Sequence, residues 1–390
     1  MKIQRLLSVF AVASLAALSA CGGGSEGSSG KTALIGVAES LTGPAASNGQ
    51  AGKCGLQAYF DTFNAKGGVN GYKVKLMIRD TQYDPVRSAS IAQEFARAKV
   101  LAAEVSGTPQ SKAAIAVLKP RGIPVFGSAA GNVLNGTGNL SFSTQFDYQR
   151  LGALGADYIM SQLGVKDFGL AYLAGEPGQP IADTLPAYVK KKGGSVVESI
   201  PITLTATDYA PYVQSLKASG AKAVFTPLLD VQLSALQKAA DAIGYKPAWV
   251  SWPAANTSTY QKLAGGLADD TYFVLTIEPV TDEPKTEAQK EFVTAVKKEC
   301  PDLLQSYNVA STWGAAAAIA RGIENATKNG GKLTPATLAK GAEGTDVDLG
   351  MQTVTWKGEN RSGVSQAGVY QLKGGSFTQV QDFQPLPPLK

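Results

Sequence analysis

The sequence predicts an α/β protein built from two lobes, each a doubly wound parallel sheet. Two observations support this prediction. After the first 30 residues about 360 remain, which is more than one hydrophobic core usually supports. Within them, short apolar runs alternate with helical periods, and the alternation starts afresh at Asp167. A βαβα series of this kind implies a parallel sheet covered by helices on both faces.

The first series opens with a buried strand at residues 33–37. The helix that follows has apolar residues at i, i+3, i+4 and i+7, the stripe of an amphipathic helix, and ends at Gly67-Gly68. Further strands are predicted at 74–78, 101–105 and 123–126, with helices around residues 91–98 and 115–118.

The second series has predicted strands at 167–173, 196–200, 221–226, 248–251 and 272–277, with helices at 181–192 and 236–243. A helix through Phe292 and an alanine-rich helix at 307–323 follow, and strands at 354–356, 369–372 and 377–380 end the chain. In such sheets a ligand binds beyond the carboxyl ends of the strands, beside helix N-termini.

The N-terminus has the layout of an export signal. Lys2 and Arg5 precede an apolar stretch at 6–17 that is too short for a membrane span, so residues 1–20 are predicted to be a signal peptide. Because Ala20 leads directly into Cys21, the segment resembles a bacterial lipoprotein signal, which implies an acylated Cys21. An ordinary signal peptide with a chance cysteine is the alternative. Residues 21–30 are rich in glycine and serine and are predicted to be a flexible tether.

This N-terminus predicts an extracytoplasmic protein, in the periplasm or at the cell surface. The body is expected to reach the membrane only through the lipid, since no later apolar run approaches the length of a membrane span.

The composition excludes several classes of function. The chain has no histidine, which rules out Ser-His triads, histidine zinc sites and histidine general bases. It has no GxxxxGK[ST] loop and no GxGxxG after a strand, so we expect no cofactor and no metal. The formal net charge is +5 without a cluster of five or more Lys and Arg, which argues against nucleic acid as a partner.

Two cysteines remain besides Cys21. Cys54 and Cys300 each fall on the apolar face of a predicted helix. An export signal places them in an oxidising compartment, so a disulfide between them is favoured over two buried thiols.

One segment resembles a known family. It runs from the first strand to the start of the second helix and contains, in order, SLTGP at 40–44, NGQ at 48–50, FNAKGGVNG at 63–71, RD at 79–80 and DP at 84–85. This order and spacing resembles the branched-chain amino acid and amide binding proteins of ABC importers, the Leu/Ile/Val-binding-like class with a type I periplasmic-binding fold. The resemblance extends from Lys31 almost to the C-terminus and is strongest over 33–84 and 105–131.

The resemblance implies two lobes that are joined by three crossovers and close on a ligand by a hinge motion, for which periplasmic binding proteins are a standard example. We expect the crossovers near residues 143–148, 276–279 and 356–363. Lobe one would then comprise 31–143 and 277–356, and lobe two 144–276 and 357–390. Both Cys54 and Cys300 would lie in lobe one. The expected partners are a small-molecule solute and a membrane permease, and the protein is expected to be a monomer and not an enzyme.

The resemblance also implies where a ligand binds. In the family, a Ser or Thr and backbone amides hold the ligand carboxylate, which points here to Ser106 and Thr108. A second element is a small-residue turn, here containing Ala129 and Ala130. Thr42 lies in a turn that lifts the chain over the end of the first strand, where Ser47 or Asn48 can cap the next helix. These residues either contact ligand or only shape the turns.

The chain departs from leucine-binding members at several positions. It has Gly131 where they tend to have threonine, no tyrosine at 175–178, and no acid near 251–254 to meet a ligand ammonium. A buried ammonium without a partner would cost several kcal/mol. Either Glu176 or Asp230 supplies the charge from another loop, or the ligand is not an α-amino acid. Tyr148 and Trp252 could stack on a planar ligand, with Trp252 as lobe core the alternative.

These features agree with three functions to different degrees. The first is capture of a small polar or aromatic solute (an amino acid, amide or related carboxylate) for import. The second is a ligand-sensing subunit that signals to a membrane receptor, which the fold cannot separate from the first. A carboxylate hydrolase is disfavoured because no two of its candidate acids share a helix face, these being Asp80, Asp84, Asp230 and Glu278.

Overall fold

Two large sheets and one small sheet organise the chain. The computed structural model describes residues 30–127, 134, 138–358 and 360–389. The predicted signal peptide, the lipidation site Cys21, nearly all of the tether and the predicted site residues Ala129 and Ala130 lie outside the described residues. Residues 31–390 belong to one compact unit.

The first sheet is parallel throughout, with the strand order β2-β1-β3-β4-β5. Its strands are β1 (Lys31–Glu39), β2 (Tyr72–Asp80), β3 (Ala102–Val105), β4 (Val125–Gly127) and β5 (Ser141–Ser143). The helices between them are α1 (Ala46–Ala65), α2 (Pro85–Ala98) and α3 (Thr108–Leu118). Asp84 caps α2 by accepting hydrogen bonds from the amides of Val86 and Arg87, which explains the Asp-Pro pair in the sequence.

The second sheet has the strand order β15-β14-β10-β9-β8-β6-β7 and is parallel except for β14 and β15. Its strands are β6 (Asp167–Leu173), β7 (Ser195–Ile202), β8 (Ala223–Thr226), β9 (Ala248–Ser251), β10 (Thr271–Leu275), β14 (Gln366–Lys373) and β15 (Ser376–Pro385). Its helices are α4 (Tyr148–Ser161), α5 (Gln179–Lys191), α6 (Ala210–Ala218), α7 (Asp230–Ala242) and α8 (Ser258–Ala264).

The remaining elements lie between β10 and β14 in the chain. They are α9 (Glu287–Glu299), α10 (Tyr307–Thr327), α11 (Pro335–Ala342) and an antiparallel sheet of β11 (Gly344–Asp348), β12 (Thr353–Lys357) and β13 (Asn360–Gly363). Helix α10 packs closely on α1 at Gly55, where an added Cβ would lie 2.2 Å from the Val309 carbonyl oxygen. Trp313 of α10 makes edge contacts with Tyr59 and Phe292, at ring-centroid distances of 4.9 and 5.3 Å.

Cys54 and Cys300 form a disulfide, with a Cα–Cα distance of 6.3 Å. It joins α1 to the residue that follows α9, so three helices on one side of the first sheet are linked covalently and by aromatic packing. No helix in the described part of the chain is both long enough and apolar enough to cross a membrane.

The predicted α/β class with doubly wound, mainly parallel sheets is confirmed. The chain passes from the first sheet to the second at residues 144–147 and leaves it at 276–286. The third crossover was expected at 356–363, but most of these residues belong to β12 and β13, and the chain joins the second sheet only at Gln366. The exact boundaries of the two lobes stay a prediction.

Candidate functional site

The site lies where both large sheets reverse their strand order. The reversal falls between β1 and β3 in the first sheet and between β6 and β8 in the second, and the carboxyl ends of strands at such points form ligand crevices. Here the two crevices meet around one cavity of about 60 Å³. From the first side it is lined by Ser40, Asn48, Tyr83, Ser106 and Thr108, and also by Asn308 of α10. From the second side it is lined by Tyr148, Pro177, Leu229, Trp252 and Ala254.

The N-terminus of α1 lies directly above the end of β1. An added Cβ on Gly49 would lie 2.2 Å from the Ser40 carbonyl oxygen, so only glycine permits this approach. Ser47 and Asn48 do not cap the helix as expected, because α1 has no side-chain cap. Asn48 instead accepts a hydrogen bond from Asn308 Nδ2 through its Oδ1 at 2.7 Å. A pair of amide side chains therefore borders the cavity.

The turn after β3 presents the N-terminus of α3 to the cavity. Gly107 precedes the helix with a φ of 86°, a conformation that favours glycine, and no side chain caps the helix. The hydroxyls of Thr108 and Tyr148 are hydrogen-bonded at 2.9 Å. Helix N-termini carry partial positive charge and free amides, so this turn is suited to a carboxylate. Ser106 and Thr108 thus lie where the resemblance implied, beside the cavity.

Two aromatic residues form the opposite wall. The rings of Tyr148 and Trp252 lie with centroids 5.3 Å apart. Trp252 is 1% exposed, and its indole N–H donates to the Leu228 carbonyl oxygen, so it is a core residue that also lines the cavity. Burial raises the pKa of Tyr148 to about 12 and raises the pKa of Tyr83 further. Both hydroxyls therefore remain neutral at physiological pH.

Asp230 and Glu176, the two carboxylates considered as partners for a ligand ammonium, interact with other residues of the protein. Asp230 is fully buried and accepts hydrogen bonds from Ser47 Oγ at 2.5 Å and Thr257 Oγ1 at 2.7 Å. Glu176 forms an ion pair with Lys112, with Nζ and Oε1 3.6 Å apart. Neither lines the cavity, and the described residues that do line it include no charged side chain.

Thr42 also lies away from the cavity. It is exposed, and its hydroxyl donates to Asp80 Oδ2 at 2.6 Å. Asp80 is the last residue of the neighbouring strand β2, so its hydrogen bond with Thr42 holds the turn against the end of that strand. Partial burial raises the pKa of Asp80, but hydrogen bonds from Thr42 and nearby backbone amides outweigh that effect and lower it below its usual value. Thr42 shapes the turn after β1.

Several lining residues were not predicted from the sequence as ligand contacts. Ser40 lies in the segment that carried the resemblance, and Asn48 was considered only as a helix cap. Gln145 lies in the first crossover, where position alone could have indicated it. Asn308 reaches the site from α10, 260 residues along the chain from Asn48, and no local pattern marks it.

Two crevices that face each other across a neutral, partly aromatic cavity define a solute-binding protein with a type I periplasmic-binding fold. The chain belongs to the periplasmic binding protein family, whose model matches residues 32–376. Members of this family bind solutes for transporters, so the protein is not an enzyme, and the family is extracytoplasmic.

Comparison with individual proteins agrees with this assignment. The Leu/Ile/Val-binding protein homolog 3 of Brucella melitensis is 26% identical over 330 residues, which cover 83% of this chain and 86% of that one. The LivJ substrate-binding protein of Streptococcus pneumoniae, solved with isoleucine, aligns with a TM-score of 0.80 at 19% identity over 90% of this chain and 100% of its own. A solute-binding protein of an ABC transporter from Rhodopseudomonas palustris, solved with p-hydroxybenzoic acid, aligns with a TM-score of 0.78 at 20% identity over 92% and 98%.

Proposed function

We propose that the protein is a lipid-anchored binding protein of an ABC importer that captures a small aromatic or polar carboxylate between its two lobes. The main support for this proposal is the cavity. An uncapped helix N-terminus borders it on one side and an aromatic wall on the other, and its described lining residues include no charged side chain. Acylated Cys21 would hold the protein at the membrane, where a permease would receive the solute from a monomer.

The lining favours an aromatic carboxylate over an α-amino acid. The carboxylate would accept hydrogen bonds from the Ser106 and Thr108 hydroxyls and from backbone amides at the start of α3. A planar ring would pack against Tyr148 and Trp252. An ammonium group would lack an anionic partner, because Asp230 and Glu176 are engaged elsewhere, and its burial would cost several kcal/mol. This chemistry is nearer to the p-hydroxybenzoic acid of the Rhodopseudomonas relative than to the isoleucine of LivJ.

Capture requires the lobes to separate. A cavity of about 60 Å³ is far below the roughly 300 Å³ at which ligand pockets usually begin. Polar contacts that cross between the two sides include Ser47 with Asp230, Thr108 with Tyr148, and Lys112 with Glu176. Opening at the crossovers would break these contacts, and closure around a solute would restore them or replace them with contacts to the solute.

The test is a thermal-unfolding screen of the purified body. The panel contains isoleucine, leucine, short amides, benzoate and 4-hydroxybenzoate, with 4-hydroxybenzyl alcohol as a matched compound without a carboxylate. A solute present at one hundred times its Kd stabilises the folded protein by about 2.7 kcal/mol, which gives a clear rise in Tm.

We expect 4-hydroxybenzoate to raise the Tm and the alcohol to leave it unchanged. A rise with isoleucine alone would contradict the proposed solute class. The absence of any rise across the panel would contradict capture of these solutes altogether.

A further inference from the structure

Two glutamates, Glu39 and Glu104, lie side by side beneath the cavity. Glu39 ends β1, and Glu104 pairs in parallel register with Val37 of the same strand. Since residues two apart in a strand face the same side, both carboxyls point to the face of the sheet that α1 covers. Neither side chain is exposed. An added Cβ on Gly52 would lie 2.1 Å from Glu39 Oε1, and one on Gly127 would lie 2.3 Å from Glu104 Oε1.

Neither carboxyl has a compensating partner. All four carboxyl oxygens lack a donor in normal hydrogen-bond geometry, and no ion pair in the described part of the chain involves either residue. Weak interactions with the Ser106 side chain and the Ser40 backbone favour a charged Glu39, but burial outweighs them. A buried carboxylate without partners is costly, and two adjacent ones are more so.

Both carboxyls are therefore shifted toward the protonated form. Burial, and after it the charge of Glu104, raises the pKa of Glu39 well above its ordinary value. Burial also raises the pKa of Glu104 to about 8, although the contact with Glu39 acts in the opposite direction. At neutral pH the pair retains protons that an unfolded chain would release.

The surroundings contain no counter-charge that would change this conclusion. Gly52 faces the pair from α1, and Thr312 of α10 is hydrogen-bonded to the Gly52 carbonyl oxygen behind it. Gly127, the last residue of β4, lies against the Glu104 carboxyl on the other side of the pair. Residues 128–133 and 135–137, which follow β4, have no titratable side chain in the sequence. Among the described residues, the charges that act on the pair are those of Glu39 and Glu104 themselves.

We propose that Glu39 and Glu104 form a proton-binding pair under the solute site, protonated at neutral pH, and that its ionisation loosens the strand ends that carry the lining serines. Ser40 follows Glu39 directly, and Ser106 lies two residues after Glu104. An ionised pair has to admit water or move apart, and either change displaces those serines. The effect on solute rests on the proposed function, whereas the proton binding does not.

The first experiment measures urea unfolding of the body between pH 5 and pH 9. A carboxyl whose pKa is raised by folding stabilises the folded state at low pH, and that stabilisation is lost as pH rises toward the folded-state pKa. We therefore expect the unfolding equilibrium constant to rise about tenfold per pH unit for each retained proton, with the contribution of Glu104 levelling off above about pH 8. The double variant Glu39→Gln/Glu104→Gln should remove this rise. Glu299→Gln, which alters an exposed carboxyl at the end of α9, should retain it.

An equal pH dependence in the wild type and the double variant would overturn the proposal. If the variants do not fold, infrared spectroscopy of the wild type decides the question. A protonated-carboxyl band should be present at pH 7 and should weaken as the pH rises past about 8, where Glu104 ionises. Its absence at pH 7 would also overturn the proposal.

A measurement of solute affinity at different pH values distinguishes a failure of this proposal from a failure of the proposed function. The affinity for 4-hydroxybenzoate should fall between pH 7 and pH 9 in the wild type but not in Glu104→Gln. If 4-hydroxybenzoate does not bind at any pH, the proposed solute class fails, and the unfolding and infrared results still decide the proton-binding pair.

Discussion

Ser47 Oγ donates a hydrogen bond to Asp230 Oδ2 at 2.5 Å, and this bond joins the first turn of α1 to the first residue of α7. The two residues are 183 positions apart and belong to helices of different sheets. Thr257 Oγ1 donates to the same carboxylate oxygen from within the second side. Asp230 therefore acts as an acceptor that holds the two sides together, which explains why it is not available to a ligand ammonium.

Ser47→Ala should shift the protein toward an open form. A hydrogen bond to a charged group is worth about 1.5–3 kcal/mol, so its loss weakens the closed form by a comparable amount. We expect a larger radius of gyration by small-angle X-ray scattering in the absence of solute, and roughly tenfold weaker solute binding.

Ser161→Ala is the matched control, because the Ser161 hydroxyl bonds only within one side, to the Asp157 carbonyl oxygen and the Gln162 side-chain amide. Scattering curves that are identical for the wild type and Ser47→Ala would show that this bond does not hold the lobes closed.

Tyr148→Phe tests the carboxylate end of the site. The change keeps the ring against Trp252 and removes only the hydroxyl that meets Thr108. A neutral hydrogen bond contributes about 0.5–1.5 kcal/mol, so the Kd for 4-hydroxybenzoate should rise about two- to tenfold by isothermal titration calorimetry. Tyr272→Phe, on β10 and outside the cavity lining, should leave the Kd unchanged. Equal affinities of wild type and Tyr148→Phe would exclude this hydroxyl from the site.

The alternation of apolar runs with helical periods was enough to predict the large sheets, since each buried parallel strand is a short apolar run. It was not enough for the elements that lack such a run. Strand β5 has three residues, and β13 reads Asn-Arg-Ser-Gly, so neither carries an apolar pattern. Helix α8 has only seven residues, too few for a periodic stripe. These elements form because neighbouring strands and helices are already in place.

The site was predicted only in part, for a related reason. Ser106, Thr108, Tyr148 and Trp252 follow strands or crossovers directly, and topology brings such positions together. The roles of Asn308 and Asp230 depend on contacts with residues that are far away in the chain. The spacing within one segment contains no information about such contacts. The same holds for Glu39 and Glu104, which become neighbours only because β3 pairs with β1.

Cys21→Ser tests the anchor. If the cysteine is acylated, its replacement should move the protein from the membrane fraction to the soluble fraction, because the body has no other predicted membrane contact. Cell fractionation with immunoblotting measures this. Ser25→Ala, in the predicted tether, serves as the control and should stay with the membrane. A wild-type protein found only in the soluble fraction would contradict lipidation.

The disulfide between Cys54 and Cys300 should stabilise the folded protein. The bridge spans 246 positions, so it restricts a long loop of the unfolded chain, and such bridges commonly contribute about 2–5 kcal/mol. We expect Cys54→Ala/Cys300→Ala to unfold at lower urea concentration than the wild type, with solute affinity nearly unchanged because neither residue lines the cavity.

Reductant should lower the stability of the wild type by the same amount and leave the double variant unaffected. Alkylation of the denatured, unreduced wild type, followed by mass spectrometry, provides the direct check. Two labelled thiols at these positions would show that the cysteines are unpaired, and the α1, α9 and α10 layer would then be held by noncovalent contacts such as the packing around Trp313.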